Sequence, residues 1–126
     1  MKLQELVFNK FEEHIITEDQ VFEMARVKPV RSGLPWIIFI SSKDYVKQQH
    51  WARIKVSNIK GTFSDNDNFV VSISKQPEVL AGKAKMSQSE LEDVFDWVIL
   101  NYDVLIKYWN EEYKDETDMY NSLKKL

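Results

Sequence analysis

The chain has 126 residues, no cysteine, three glycines, three prolines and a net charge of −3, with 44% hydrophobic and 13% aromatic residues. That length suits one domain spanning residues 1–126, and so apolar a composition excludes intrinsic disorder. The absence of cysteine excludes a disulfide framework, a thiolate metal site and a cysteine nucleophile, and it fits a reducing compartment.

Leu3, Leu6, Val7 and Phe11 recur at helical spacing with Glu5, Glu12 and Glu13 opposite, which predicts an amphipathic helix to about Ile15. Thr17-Glu18-Asp19 reads as a turn. Val21, Glu23, Ala25 and Val27 alternate with Phe22, Met24, Arg26 and Lys28. The alternation favours a strand from about Val21 to Lys28 over a short helix opened by the capping-box spacing of Thr17 and Gln20. Ser32-Gly33-Leu34-Pro35 is a turn signal, and Trp36-Ile37-Ile38-Phe39-Ile40 is a buried, central strand. Ser41 to His50 is polar, with room for one helical turn. Arg53-Ile54-Lys55-Val56-Ser57 alternates strictly and predicts a half-exposed strand with Arg53 and Lys55 on one face. Phe69 to Ile73 is the next strand, and Pro77 to Lys85 reads as a connection.

Ser87-Gln88-Ser89-Glu90 is a capping box opening the strongest helix, expected to run to about Glu112. Its stripe is Leu91, Phe95, Val98, Tyr102, Leu105 and Trp109, widened by Val94, Trp97, Ile99, Val104, Ile106 and Tyr108. Asp115 or Thr117 caps a last short helix with Met119, Tyr120 and Leu123 inward. The expected fold class is α+β: an antiparallel β-meander of about four strands, with an N-terminal helix and two C-terminal helices packed on one face.

Charge is distributed unevenly. Residues 24–60 carry eight Lys or Arg and one acid, whereas residues 87–126 carry four Lys and ten acids. If Arg26, Lys28, Arg53 and Lys55 share a sheet face, they make a flat cationic surface. Arg31 extends it, His50 stands beside it as a donor, and Trp51 and Trp36 offer stacking area for single-stranded bases. The competing expectation is that acidic helices neutralise these charges inside the fold. Other constellations carry less. His14 and His50 are the only histidines and lack ligand spacing, so no metal is expected. Asp65-Asn66-Asp67 resembles a calcium loop, but its fifth and sixth positions are Phe69 and Val70, and the sixth must be glycine. Glu12-Glu13 and Glu111-Glu112 are adjacent, do not share a helix face, and form no acid–base pair.

The blocks Arg26-Val27-Lys28-Pro29, Ser32-Gly33-Leu34-Pro35, Arg53-Ile54-Lys55-Val56-Ser57-Asn58 and Ser72-Ile73-Ser74 resemble those of a family of small uncharacterised bacterial proteins. Leu105-Ile106-Lys107-Tyr108-Trp109-Asn110 and Ser122-Leu123-Lys124-Lys125-Leu126 are similar to it as well. A more distant similarity is to small proteins of unknown function with an Asp-His-Pro-Pro-His block before a basic strand. Here His50 stands near that place, without the prolines. The resemblance implies an intracellular bacterial setting, near mobile elements or toxin–antitoxin-like pairs, and assigns no chemistry.

The leading expectation is a non-enzymatic binding module whose basic strand face meets nucleic acid or an acidic partner protein. The alternatives are a toxin-like nuclease using His50 with Arg53 or Lys55, and a structural assembly domain. No cofactor is expected. Residues 1–6 lack the apolar run of a secretory signal, and no segment approaches the ~18–20 uncharged apolar residues of a membrane span. The expectation is therefore a cytoplasmic monomer or weak dimer that does not contact a membrane.

Overall fold

The computed structural model describes residues 25–41, 52–63 and 66–126. These form an antiparallel five-stranded sheet in simple sequence order, β1 (Ala25–Val27), β2 (Trp36–Ile40), β3 (Arg53–Lys60), β4 (Asn68–Ser72) and β5 (Val79–Gly82). A short helix α1 (Pro29–Ser32) joins β1 to β2. Three helices follow the sheet, α2 (Gln88–Leu100), α3 (Tyr102–Trp109) and α4 (Glu116–Ser122). The α+β class expected from the sequence is therefore present. The expected N-terminal helix, the Thr17–Asp19 turn and most of the Ser41–His50 segment fall outside the described residues.

Period-2 alternation decides which side of the sheet meets the helices. Ala25 and Val27, Ile38 and Ile40, Ile54 and Val56, and Phe69 and Val71 belong to one buried cluster with Val94, Trp97, Val98, Leu105 and Met119 from the helices. Each Val, Leu, Ile, Phe or Met side chain among them stabilises the fold by about 1.5–3 kcal/mol relative to exposure. The uninterrupted apolar sequence of β2 has the same cause as its burial at all five positions, because both of its faces are covered. Ile37 and Phe39 form a second, smaller cluster on the far face, with Phe63 packed against it.

Three differences from the sequence-based expectation have physical reasons. The sheet has a fifth strand where a connection was expected. Val79 to Gly82 lies at the edge and is only half covered, so it needs no strong apolar alternation, and backbone pairing with β4 defines it. The long C-terminal helix is two helices interrupted at Asn101, whose buried side-chain amide bonds the chain near Lys124 instead of facing solvent. The turn at Ser32–Pro35 is preceded by a helical turn. Pro29 opens it at the first position, where its fixed φ suits a helix, and Gly33 closes it with φ +81°.

The capping box forms as the sequence predicts. Ser87 Oγ accepts from Glu90 N–H at 3.1 Å, and Ser87 N–H donates to Glu90 Oε1 at 3.0 Å. That bond from the Ser87 backbone is the main reason the Glu90 carboxyl sits below its ordinary pKa. Asp115 caps α4 by accepting from Thr117 N–H at 2.9 Å.

Candidate functional site

Register places three of the expected basic residues on the sheet face that turns away from the helices. Arg26 pairs with Phe39, Phe39 with Lys55 and Lys55 with Val70, so these four run in one row across β1 to β4. Arg53 lies two residues from Lys55 on the same face, opposite Ser72. The neighbouring residues Ile37, Phe39 and Val70 are buried, so the middle of this face is covered and is not a flat cationic surface. Lys55 is only 8% exposed and Arg53 is half-buried, so strand alternation put them on one face without putting both in solvent.

The exposed cations are at the β1 end. Arg26 is exposed, and its guanidinium carbon lies 5.4 Å from the centroid of the Phe39 ring. Its backbone is fixed along the β1 edge of the sheet, since Arg26 N–H donates to the Tyr120 hydroxyl at 3.0 Å. Lys28 follows at the same parity and is exposed. It precedes α1, and its carbonyl accepts from Arg31 N–H at 2.9 Å and Ser32 N–H at 3.1 Å, which holds its backbone where the strand ends. Among the described residues no carboxylate pairs with Arg26 or Lys28, whereas Lys60 pairs with Glu90 at 3.8 Å and Lys85 with Asp67 at 3.1 Å.

Arg26 and Lys28 line a cavity of about 430 Å³ together with Pro29, Ile37, Gly61, Thr62 and Phe63. Its far wall exists because β3 leaves regular pairing. Ile38 faces Val56 but Trp36 faces Lys60, so the β3 side holds two more residues than the β2 side. Ser57, fully buried at this irregularity, places its Oγ 2.7 Å from the Thr62 carbonyl and 3.0 Å from the Ile59 carbonyl, and accepts from Ile59 N–H. Gly61 N–H donates to the Pro35 carbonyl at 2.9 Å. These bonds fold residues 61–63 back over the sheet and set Phe63 edge-on against Phe39, ring centroids 4.4 Å apart at 79°. Gly61 has φ +76°, and a Cβ there would meet nothing within 4 Å, so its backbone is open to close approach.

The remaining expected site residues fall elsewhere. Arg31 turns to the other side, where its Nη1 donates to the Tyr120 carbonyl at 3.0 Å and its guanidinium carbon sits 5.0 Å from the Tyr120 ring. It ties α1 to α4. Trp36 is buried in the core against the helices and offers no stacking face. His50 and Trp51 lie outside the described residues. Phe63, Ile37 and Thr62 were not expected from the sequence; the signal available was an aromatic residue two positions beyond the glycine that ends a basic strand.

The helices α2 to α4, of which α2 and α4 are acidic, pack on the opposite face from Arg26, Arg53 and Lys55. Their charges act partly on the sheet, where Glu90 of α2 pairs with Lys60 of β3 at 3.8 Å, and partly among the helices. Glu116 accepts from the Tyr108 hydroxyl at 3.0 Å. Burial, then the Glu116 charge, holds the Tyr108 phenol well above its ordinary pKa of 10.0. Tyr120 is raised for the same two reasons, burial first.

Among the described residues no cluster of three or more His, Cys, Asp or Glu side chains is arranged to hold a metal ion, and no helix is long and apolar enough to cross a membrane. Comparison of the chain with protein-family models, curated proteins and solved structures finds no match. The resemblance to small bacterial proteins therefore rests on the sequence blocks alone.

Proposed function

We propose that the protein is a non-enzymatic binding module for a polyanion, with single-stranded nucleic acid as the preferred partner class. One observation carries the reading: Arg26 and Lys28 stand exposed on the rim of one cavity, on the sheet face opposite the acidic helices, and no carboxylate among the described residues pairs with them. Cations left in solvent next to apolar and aromatic surface serve an anionic chain that also carries flat apolar groups. An acidic protein would use the same cations but not the cavity beside them. The setting we propose is cytoplasmic, and the sequence resemblance adds a bacterial one.

The test is a fluorescence-anisotropy titration at low salt with short single-stranded RNA, single-stranded DNA, duplexes and a poly-glutamate peptide. Binding of the nucleic acids, weakened strongly in R26Q/K28Q at unchanged melting temperature, supports the reading. Binding of the peptide alone assigns the face to an acidic protein. Absence of binding to all four probes removes the polyanion reading.

A further inference from the structure

We infer that the cavity beside Arg26 and Lys28 is a single-nucleotide subsite, which takes one unstacked base against Phe63 and Ile37 while the two cations hold the flanking phosphates. The inference rests on the proposed polyanion function and gives it a single-strand preference.

Its volume of about 430 Å³ lies at the small-ligand end of binding cavities and suits one planar heterocycle with its sugar. The apolar lining is Ile37, Pro29 and Phe63, and Thr62 and the open Gly61 backbone add polar groups. That combination matches the two parts of a base, an apolar ring face and a polar edge. Phe63 is only half-buried, because its edge-on contact with Phe39 engages just part of the ring. Arg26 reaches toward Phe39 and lines the same cavity, so its charge lies at the base-binding wall and not on a remote surface. Lys28 stands two residues further on, where β1 gives way to α1.

A duplex presents phosphates to the cations but keeps its bases paired and stacked, so only an unpaired strand can fill the cavity. A stretch with its bases removed keeps the phosphates and loses the filling group. The subsite therefore makes a prediction distinct from charge attraction alone.

The intact protein is titrated with a single-stranded DNA, the duplex of the same sequence, and the same strand with abasic sites through its centre. A strand carrying one central 2-aminopurine reports stacking through its fluorescence, with no change to the protein. The expected result is binding of the intact strand at least tenfold tighter than the duplex or abasic strand, with quenching of 2-aminopurine on saturation. Phe63→Leu, which keeps apolar volume but removes the stacking plane, should weaken the intact strand roughly tenfold and leave the abasic strand unchanged. Arg26→Gln should weaken both strands alike. Equal binding of all three DNAs with no quenching overturns the subsite and leaves the polyanion reading standing. No binding of any DNA at low salt overturns the subsite, and the polyanion reading falls with it only if the RNA and the poly-glutamate peptide also fail to bind. If Phe63→Leu fails to fold, the quenching and the abasic comparison on the unaltered protein still decide the question.

Discussion

The side-chain amide of Asn101 pairs with the backbone of Lys124 as one strand residue pairs with another. Its Oδ1 accepts from Lys124 N–H at 2.7 Å and its Nδ2 donates to the Lys124 carbonyl at 3.0 Å, while a further bond runs from Nδ2 to the Trp97 carbonyl. Leu126 N–H then donates to the Ser32 carbonyl at 2.9 Å, so the same C-terminal stretch closes on α1 beside β1. Asn101 thus sets the break between α2 and α3 and anchors the segment that backs the β1 end of the sheet. Asn101→Ala leaves the Lys124 backbone groups without this partner and should cost about 1–3 kcal/mol in denaturant unfolding. Asn101→Asp, which keeps the acceptor and loses the donor, should also destabilise, because it puts a carboxylate in a buried site.

Trp97 is the largest fully buried side chain of α2 and faces the sheet. Trp97→Ala should cost about 3–5 kcal/mol, measured as a shift of the denaturant midpoint at constant slope. Ile99, 45% exposed on the same helix, should tolerate Ala within about 0.5 kcal/mol. Equal losses at the two positions would contradict the assignment of the α2 face that packs on the sheet.

Tyr108 gives the fold an alkaline limit. Its phenol is held above the ordinary value of 10.0 in the folded chain, first by burial and then by Glu116. Above that value the unfolded chain has released the proton that the folded chain keeps, so the unfolded state binds fewer protons and stability falls as pH rises. Melting temperature should be flat from neutral pH to the ordinary tyrosine pKa and then decline. Tyr108→Phe should lose part of that decline and also the bond to Glu116. An unchanged alkaline slope in the variant would assign the effect to Tyr120 instead.

Gly82 ends β5 with φ +78°, and a Cβ there would lie 2.7 Å from the Asn68 carbonyl oxygen. That oxygen and the Phe69 Cα at 3.0 Å are both backbone, so the contact cannot be relieved by a rotamer change. Gly82→Ala should cost about 1–3 kcal/mol and reduce hydrogen-exchange protection along the β4–β5 ladder. Gly61→Ala meets no such contact and should cost less.

Much of the fold was legible because the relevant signals are local. The Ser87–Glu90 box, the apolar run of β2 and the alternation of β3 each specify their element without knowledge of the rest of the chain. What was not legible depends on partners distant in sequence. Asn101 reads as an ordinary polar residue on a helix until Lys124 lies beside it. Val79 to Gly82 reads as a connection until β4 supplies its hydrogen bonds. At the candidate site, alternation put Arg26, Arg53 and Lys55 on one face, but alternation carries no sign that Lys55, between Phe39 and Val70 of the neighbouring strands, is buried there. Arg31 carries the same charge as Arg26, yet it belongs to Tyr120 because α1 turns it toward α4. Phe63 enters the site only through the Ser57 bond to the Thr62 carbonyl, a tertiary feature with no sequence pattern of its own.

If Arg26 and Lys28 hold an anionic strand, the salt dependence of binding must report it. Affinity for a single-stranded oligonucleotide is measured across a series of salt concentrations for the unaltered protein and for R26Q/K28Q. Each phosphate contact on a single strand contributes about 0.7 to the slope of log K against log salt, so losing two contacts should make the slope shallower by about 1.4. Binding should also be weaker at every salt concentration, with melting temperature unchanged. Parallel slopes and equal affinities for the two proteins would contradict the claim and place any nucleic-acid contact on another part of the chain.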